Sequence, residues 1–166
     1  MSEPIASDWK RRLDELMPLL GHRNWIVVAD SAYPAQSKPG IETIATDEDQ
    51  LHVVQTLRDA IAASGHVRAK IFVDSELGFV TESDAPGIAD YRRQLDIALC
   101  GSAVKHLQHE KIIANLDQSA KVFRILVIKT NMRIPYTSVF FELDCGYWST
   151  EAEQRLRQAM SAADSE

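Results

Sequence analysis

The sequence has few cysteines, no long apolar run and no excess of basic residues. Its 166 residues include only two cysteines, Cys100 and Cys145, which form neither a disulfide framework nor a CxxC pair. A net charge of −6 argues against a nucleic-acid-binding surface. No apolar run approaches the roughly 18 residues that a membrane span requires. We therefore expect no nucleic-acid partner, no membrane association and a reducing, cytoplasmic setting.

Glycine-rich phosphate motifs are also absent, and the first residues do not predict a signal peptide. Neither G-x-G-x-x-G nor a P-loop occurs, which weakens a nucleotide-binding interpretation, since those glycines let the backbone approach phosphate. The first four residues lack the basic and apolar regions of a signal peptide. A hydrophobic content of 45% and a charged content of 25% are ordinary for a globular protein. At this length we expect one domain with a substantial core.

Apolar residues recur alternately at helical and at strand spacing along the chain. Because helices and strands alternate with connections of crossover length, we predict an α/β fold. It has three layers, with helices on both faces of a central mixed or parallel sheet. The predicted helices cover 8–20, 46–64, 84–98, 103–120 and 150–163, and the predicted strands cover 25–29, 41–45, 69–73, 122–129 and 137–143.

One buried strand lies between a histidine and an aspartate. Residues 25–29 form a continuous apolar run, which is typical of a strand covered on both faces. His22 precedes this run and Asp30 follows it. Loops at strand ends often carry chemistry in α/β folds. However, a histidine after a helix often only caps it, and an aspartate after a strand often only forms a turn.

The same stretch resembles the start of the D-ribose pyranase / L-fucose mutarotase family. Gly21-His22, a short polar step, an apolar strand and Asp30-x-x-x-Pro34 follow one another in the order of that family. A second match surrounds Tyr136, within residues 133–141, and closes with Cys145-Gly146. The resemblance covers residues 13–146 in outline. Residues 1–148 would then form one mutarotase-like domain, followed by a C-terminal helical extension over 149–166.

The resemblance implies an isomerase that interconverts the anomers, or the pyranose and furanose forms, of a free aldose such as ribose or fucose. Ring opening needs a base at the anomeric hydroxyl and an acid at the ring oxygen, but no cofactor or metal. Histidine can do both near neutral pH. The resemblance implies that His22 is the acid/base. It also implies that Asp30 accepts hydrogen bonds from sugar hydroxyls and that Tyr136 forms a second polar side of the site.

The chain departs from the family at two positions. Ser138 stands two residues after the tyrosine, where the family typically has asparagine, so sugar specificity or affinity could differ. The family also has a basic residue upstream of the last strands, for which His109 and Lys111 are the candidates. Ser138 and His109 are our predicted substrate contacts at these two positions. His106 and His109 are three residues apart, but two ligands without a third are weak evidence for a metal site.

The spacing of His22 and Asp30 constrains the site. At about 3.3 Å per strand residue, eight positions hold the two side chains roughly 20 Å apart or more. Either the turn before the strand curls back over the sheet, or one subunit supplies the histidine and its neighbour the aspartate. The family forms ring-like oligomers with sites near subunit contacts, so the resemblance implies a homo-oligomer here.

Two other functions are compatible with the sequence. One is a non-catalytic sugar-binding or regulatory oligomer on the same fold. It is suggested by Ser138, by the two candidates for the basic position and by the C-terminal extension. A third alternative is an unrelated α/β protein that shares the short motifs by chance. Turnover distinguishes the first two, since a binder leaves the rate of anomer exchange unchanged, and the third predicts no effect of sugar.

Overall fold

The structure, a computed structural model, describes residues 5–165, and their side chains from residue 8 onward. Short 3-10 turns follow the first helix and the third strand. Over the described residues the helices are α1 (Ile5–Leu16), α2 (Gln50–Ser64), α3 (Ile88–Ala98), α4 (His109–Ser119) and α5 (Thr150–Ala163). The strands are β1 (Trp25–Ala29), β2 (Ile41–Ala45), β3 (Val67–Asp74), β4 (Val104–Leu107), β5 (Ile125–Lys129) and β6 (Val139–Cys145).

The strands form one mixed sheet in the order β2-β5-β1-β6-β3-β4. Strand β6 pairs antiparallel with both of its neighbours, β1 and β3. The other pairings are parallel, so β6 alone in this sheet runs against the rest. The carboxyl ends of the parallel strands and the start of β6 therefore share one edge of the sheet.

Helices cover both faces of the sheet, which confirms the predicted three-layer α/β class. Strand β1 is buried along its whole length. Its Ile26 and Val28 pack with residues of α1, α2 and α3. Its Trp25, Val27 and Ala29 pack on the other face with residues of α4. The continuous apolar run of this strand is explained by its central place between the two layers.

The predicted helix over residues 103–120 is wrong at its start. Residues 104–107 form the edge strand β4, which pairs parallel with β3, and the helix begins only at His109. Tertiary pairing decides the structure of a segment too short for its periodicity to be diagnostic. His106 thus lies on β4 and His109 opens α4, so they do not share a helix. Within the described residues, no three His, Cys, Asp or Glu side chains gather to hold a metal.

Several element ends differ from prediction. Strand β5 begins at Ile125, three residues after the exposed Val122. The N-cap of α5 is Ser149, whose Oγ accepts the Ala152 N–H at 3.0 Å. No residue of α5 is buried.

Among residues 5–165, none of the helices combines the length and the apolarity that a membrane crossing requires.

A close backbone approach fixes the end of β6. A Cβ atom on Gly146 would lie 2.9 Å from the backbone N and C of Val67, a distance that side chains do not tolerate. The Gly146 N–H donates a 2.9 Å hydrogen bond to the carbonyl of His66. Glycine is therefore required where the chain leaves the sheet toward α5.

Gln50 is a fully buried polar residue that ties three strands to α2. Its Nε2 donates to the carbonyls of Val28 (3.2 Å) and Thr137 (2.9 Å). Its Oε1 lies 2.5 Å from the hydroxyl oxygen of Thr130. The Tyr91 hydroxyl also donates to the Thr137 carbonyl, at 2.7 Å. These bonds satisfy backbone groups at the end of β1 and just before β6, where water cannot reach.

We predict that Gln50→Leu lowers the free energy of unfolding by about 2 kcal/mol or more, because the Val28 carbonyl and the Thr130 hydroxyl each lose a buried hydrogen-bond partner. Urea unfolding measures the change. Gln55→Leu is the matched control, since Gln55 is an exposed residue of the same helix and its replacement should stay within about 0.5 kcal/mol of the native value. Equal effects of the two substitutions would contradict the role given to Gln50.

Candidate functional site

Polar side chains converge at the sheet edge where the parallel strands end. Asp30 follows β1, Asp74 is the last residue of β3, and His109 comes two residues after β4. Ser138 immediately precedes β6, which starts at this edge because it is antiparallel. Strands β1, β6, β3 and β4 are consecutive in the sheet. Residues far apart in sequence are thereby neighbours, as is usual for sites in open α/β folds.

A cavity of about 280 Å³ opens at this edge, close to the lower end of the size range of small-ligand pockets. Three of the predicted site residues line it together: Asp30, His109 and Tyr136. The alternative basic residue, Lys111, is exposed on α4. The remaining lining residues are Ala32, Tyr33, Pro34, Gln36, Ile113 and Pro135.

Ser138 holds Asp30 in place. Its Oγ accepts a hydrogen bond from the Asp30 backbone N–H (3.2 Å) and donates one to Asp30 Oδ1 (3.2 Å). Ser138 is only 4% exposed. The hydroxyl is therefore engaged with the protein, and its contribution to the site runs through the orientation of the Asp30 carboxylate.

His109 is fixed from two sides by carboxylates of the β3 end. Its Nδ1 lies 3.0 Å from Oδ1 of Asp74, whose side chain is 1% exposed. Both oxygens of Glu76 accept the His109 backbone N–H, at 3.1 and 3.0 Å. Glu76 thus satisfies the first turn of α4 and complements the positive end of its dipole. The ring of His109 also meets the Tyr136 ring edge to face, with centroids 5.7 Å apart.

Burial raises the pKa of the Asp74 carboxyl, while the charge and hydrogen bond of His109 oppose that rise. The nearby Glu76 and Asp30 carboxylates add to it. The second oxygen of Asp74, Oδ2, is buried and has no hydrogen-bond partner among the described residues. An ionised carboxylate in such surroundings is costly, and the hydrogen bond and charge of His109 favour that ionised form.

Tyr136 adopts a backbone conformation that side chains rarely take. Its φ is +59°, in the left-handed region, which costs a bulky residue on the order of 1–3 kcal/mol. The hydrogen bonds at the next residue, Thr137, hold the segment: its Oγ1 donates to the Ile134 carbonyl at 2.7 Å. The tyrosine ring is thereby presented at the cavity instead of continuing the strand direction.

His22 lies at the opposite edge of the sheet. Its Nδ1 is 2.9 Å from Asp144 Oδ1, near the end of β6, and its side chain is 57% exposed. Arg68 also reaches Asp144, at 3.1 Å. The turn before β1 does not curl back toward Asp30, so one subunit does not bring the two predicted residues together. His22 instead lines a separate cavity of about 690 Å³ beside the start of α5.

Asp74 and Tyr33 are site residues that the sequence did not single out. The available signal was positional: Asp74-Ser75-Glu76 follows β3 as Asp30 follows β1. Carboxylates after two parallel strands of one sheet are expected at the same edge. The tyrosine gave no comparable signal, because its burial depends on the packing of the 30–36 loop against α4.

The fold and site define an α/β protein with a small polar pocket at the carboxyl ends of its parallel strands. The model of the RbsD / FucU transport protein family matches residues 10–145, and the chain belongs to this family. No curated protein sequence matches the chain.

Solved structures share the fold at low identity. Bacillus subtilis RbsD complexed with D-ribose has a TM-score of 0.57 and 18% identity, covering 80% of this chain and 91% of that one. The fucose mutarotase of Streptococcus pneumoniae in complex with L-fucose has a TM-score of 0.53 and 18% identity, covering 80% and 91%. FucU from Bifidobacterium longum has a TM-score of 0.53 and 17% identity, covering 81% and 94%. At such identities the likeness shows the fold alone.

The surroundings of Tyr33 predict that the free energy of unfolding falls at alkaline pH. Burial, together with the charges of Asp117, Asp74 and Asp30, raises the pKa of its phenol from 10.0 to about 12. Between these values the unfolded chain releases this proton and the folded chain keeps it. We therefore expect Tyr33 to lower the free energy of unfolding by about 1.4 kcal/mol per pH unit above pH 10.

Urea unfolding between pH 9 and 11.5 measures this slope, and Tyr33→Phe should make it shallower. Part of the slope should remain in the variant, because burial also raises the pKa of Tyr91. An identical slope in the native protein and the variant would contradict the assignment.

Proposed function

We propose that this chain is a monosaccharide mutarotase or pyranase, which opens and recloses the ring of a free aldose of the ribose or fucose type. The observation that carries the proposal is the convergence of Asp30, His109 and Tyr136 on one small cavity at the strand ends. Membership of the family, and the ribose and fucose bound in two structures of the same fold, support a sugar as the ligand.

The cavity has the donors and acceptors that a sugar needs. The Asp30 carboxylate, oriented by Ser138, accepts hydroxyl protons, and the Tyr136 phenol can both donate and accept. His109 presents an imidazole beside Tyr136. The neighbouring Tyr33 is a neutral phenol at physiological pH, and burial raises its pKa further, to about 12. A neutral polyol is therefore a better match than an anion for this carboxylate-rich edge.

The acid/base group that we propose from the family resemblance, His22, would reach the sugar from a neighbouring copy of the chain. The separation of His22 and Asp30 at opposite sheet edges supports this arrangement. So does the exposure of His22, which leaves its ring accessible to another subunit. The working protein is then a ring-like homo-oligomer in which each site combines the His22 end of one subunit with the Asp30 end of the next.

A non-catalytic sugar-binding or regulatory oligomer is the second candidate function. The observation that favours it is the engagement of Ser138: both of its hydrogen bonds go to Asp30. The sugar-facing amide that the family resemblance expects at this position is missing. Such a protein would bind the sugar and leave its ring-opening rate unchanged.

We predict that the protein accelerates anomer or ring-form exchange of ribose or fucose, measured by exchange NMR at neutral pH. His22→Ala should lower the catalysed rate by about 100-fold, since general acid–base catalysis contributes on that order. The matched control is His52→Ala, which removes an exposed histidine of α2 and should keep the native rate. Broadening of sugar lines without faster exchange would favour the binding function.

Mixed oligomers test whether two subunits build each site. His22→Ala and Asp30→Asn should each be inactive, but random co-assembly of the two should restore about one quarter of the native activity. In that mixture about a quarter of the interfaces join an intact His22 to an intact Asp30. Co-assembly of His22→Ala with the double variant is the control, because no subunit then supplies His22. No recovery in the first mixture would refute the shared site.

A further inference from the structure

The structure contains two histidine–aspartate pairs with different surroundings. His22 and Asp144 form an exposed pair, and Arg68 and Lys70 lie 3.1 and 4.0 Å from the same carboxylate. His109 and Asp74 form a pair in which the carboxylate is 1% exposed and the imidazole 31% exposed. Of the two histidines, His109 lines the cavity with Asp30 and Tyr136, whereas His22 lines the cavity beside α5.

We propose that Asp74 is a positioning residue that fixes His109 as a second proton-transfer group of the ring-opening reaction. This inference rests on the mutarotase function proposed above. It adds to His22 a group on the same subunit as Asp30, and it gives His109 a chemical role beyond contacting the sugar.

The geometry determines which nitrogen of His109 is available. An ionised carboxylate can only accept hydrogen bonds, so its 3.0 Å contact places the proton of the neutral ring on Nδ1. Nε2 then carries the lone pair. The Glu76 bonds to the His109 backbone N–H and the edge contact with Tyr136 restrict the ring further. The imidazole is therefore held in one tautomer and one orientation at the cavity wall.

The reaction step balances with two histidines. Nε2 of His109 takes the proton of the anomeric hydroxyl, and the C1–O1 bond becomes a carbonyl as the bond from C1 to the ring oxygen breaks. The ring oxygen keeps that electron pair and takes a proton from protonated His22 of a neighbouring copy. Reclosure on the other face of the carbonyl reverses both transfers, which restores the two histidines. The buried Asp74 carboxylate stabilises the charge that His109 carries in between.

The charges around the pair suit this assignment. The groups facing Asp74 are His109 from α4, Glu76 after β3 and Asp30 after β1. Tyr33 lies near both aspartates and is buried. No cation other than the imidazole is among these groups. Because Oδ2 of Asp74 has no partner among the described residues, the carboxylate is not held in a structural network that would account for its burial.

The test is Asp74→Asn, studied by exchange NMR and by ¹⁵N spectra of the histidine rings. The amide can donate to Nδ1, so we expect His109 to shift toward the Nε2–H tautomer. The exchange rate should fall by about 100-fold, the pH profile of the rate should change, and sugar affinity should stay within about threefold of native. Since burial of the charged carboxylate is unfavourable, the thermal midpoint should be equal or higher at neutral pH.

Glu76→Gln is the matched control. It removes a charge from the same strand end and weakens the cap on α4, but it leaves the partner of Nδ1 in place. His109 should keep its native tautomer in this variant. A rate and pH profile of Asp74→Asn equal to native would overturn the proposal, and so would a loss of rate matched by an equal loss of sugar affinity.

The native protein gives an independent check that needs no variant and no activity. Its His109 ring should show the Nδ1–H tautomer by ¹⁵N NMR wherever it is neutral. The Nε2–H tautomer there would overturn the role of Asp74. Absence of any catalysed exchange in the native protein would instead refute the mutarotase function, so the two failures are distinguishable.

Discussion

The antiparallel insertion of β6 between β1 and β3 is the constraint on which the site depends. All seven of its residues pair with β3, and four of them also pair with β1. Because this strand runs against its neighbours, its first residues meet the carboxyl ends of the parallel strands. A parallel strand at this place would carry Tyr136 and Ser138 to the far edge, and Asp30 would lose the hydroxyl that orients it.

The second feature that organises the site is the compensation of the negative charges at that edge. Asp30, Asp74 and Glu76 lie close enough to influence one another, and the local peptide groups and His109 offset their repulsion. Each carboxylate has a different donor: the Ser138 hydroxyl for Asp30, an imidazole for Asp74, and the start of α4 for Glu76. The three carboxylates therefore differ in the groups that donate hydrogen bonds to them.

The local part of the fold could be predicted from the sequence, and the long-range part could not. The apolar run of β1 and the position of Asp30 after it follow from a few adjacent residues. Strand β4 was missed because four residues carry no diagnostic period and form a strand only by pairing with β3. The contacts between Asp30 and Ser138, and between Asp74 and His109, span 108 and 35 positions. They depend on strand order and register, which local patterns do not encode.

Gly146 has a consequence for how the molecule can vary. The backbone of Val67 lies against it so closely that no side chain fits, and the chain is anchored there before α5 begins. Changes in the length or sequence of the terminal helix therefore reach the His22 edge, where Trp148 and Glu153 line the same cavity. The cavity that Asp30 and Tyr136 line lies at the other end of β6. Variation in α5 therefore alters the surroundings of His22 while Asp30 and Ser138, at the other end of β6, keep their mutual hydrogen bonds.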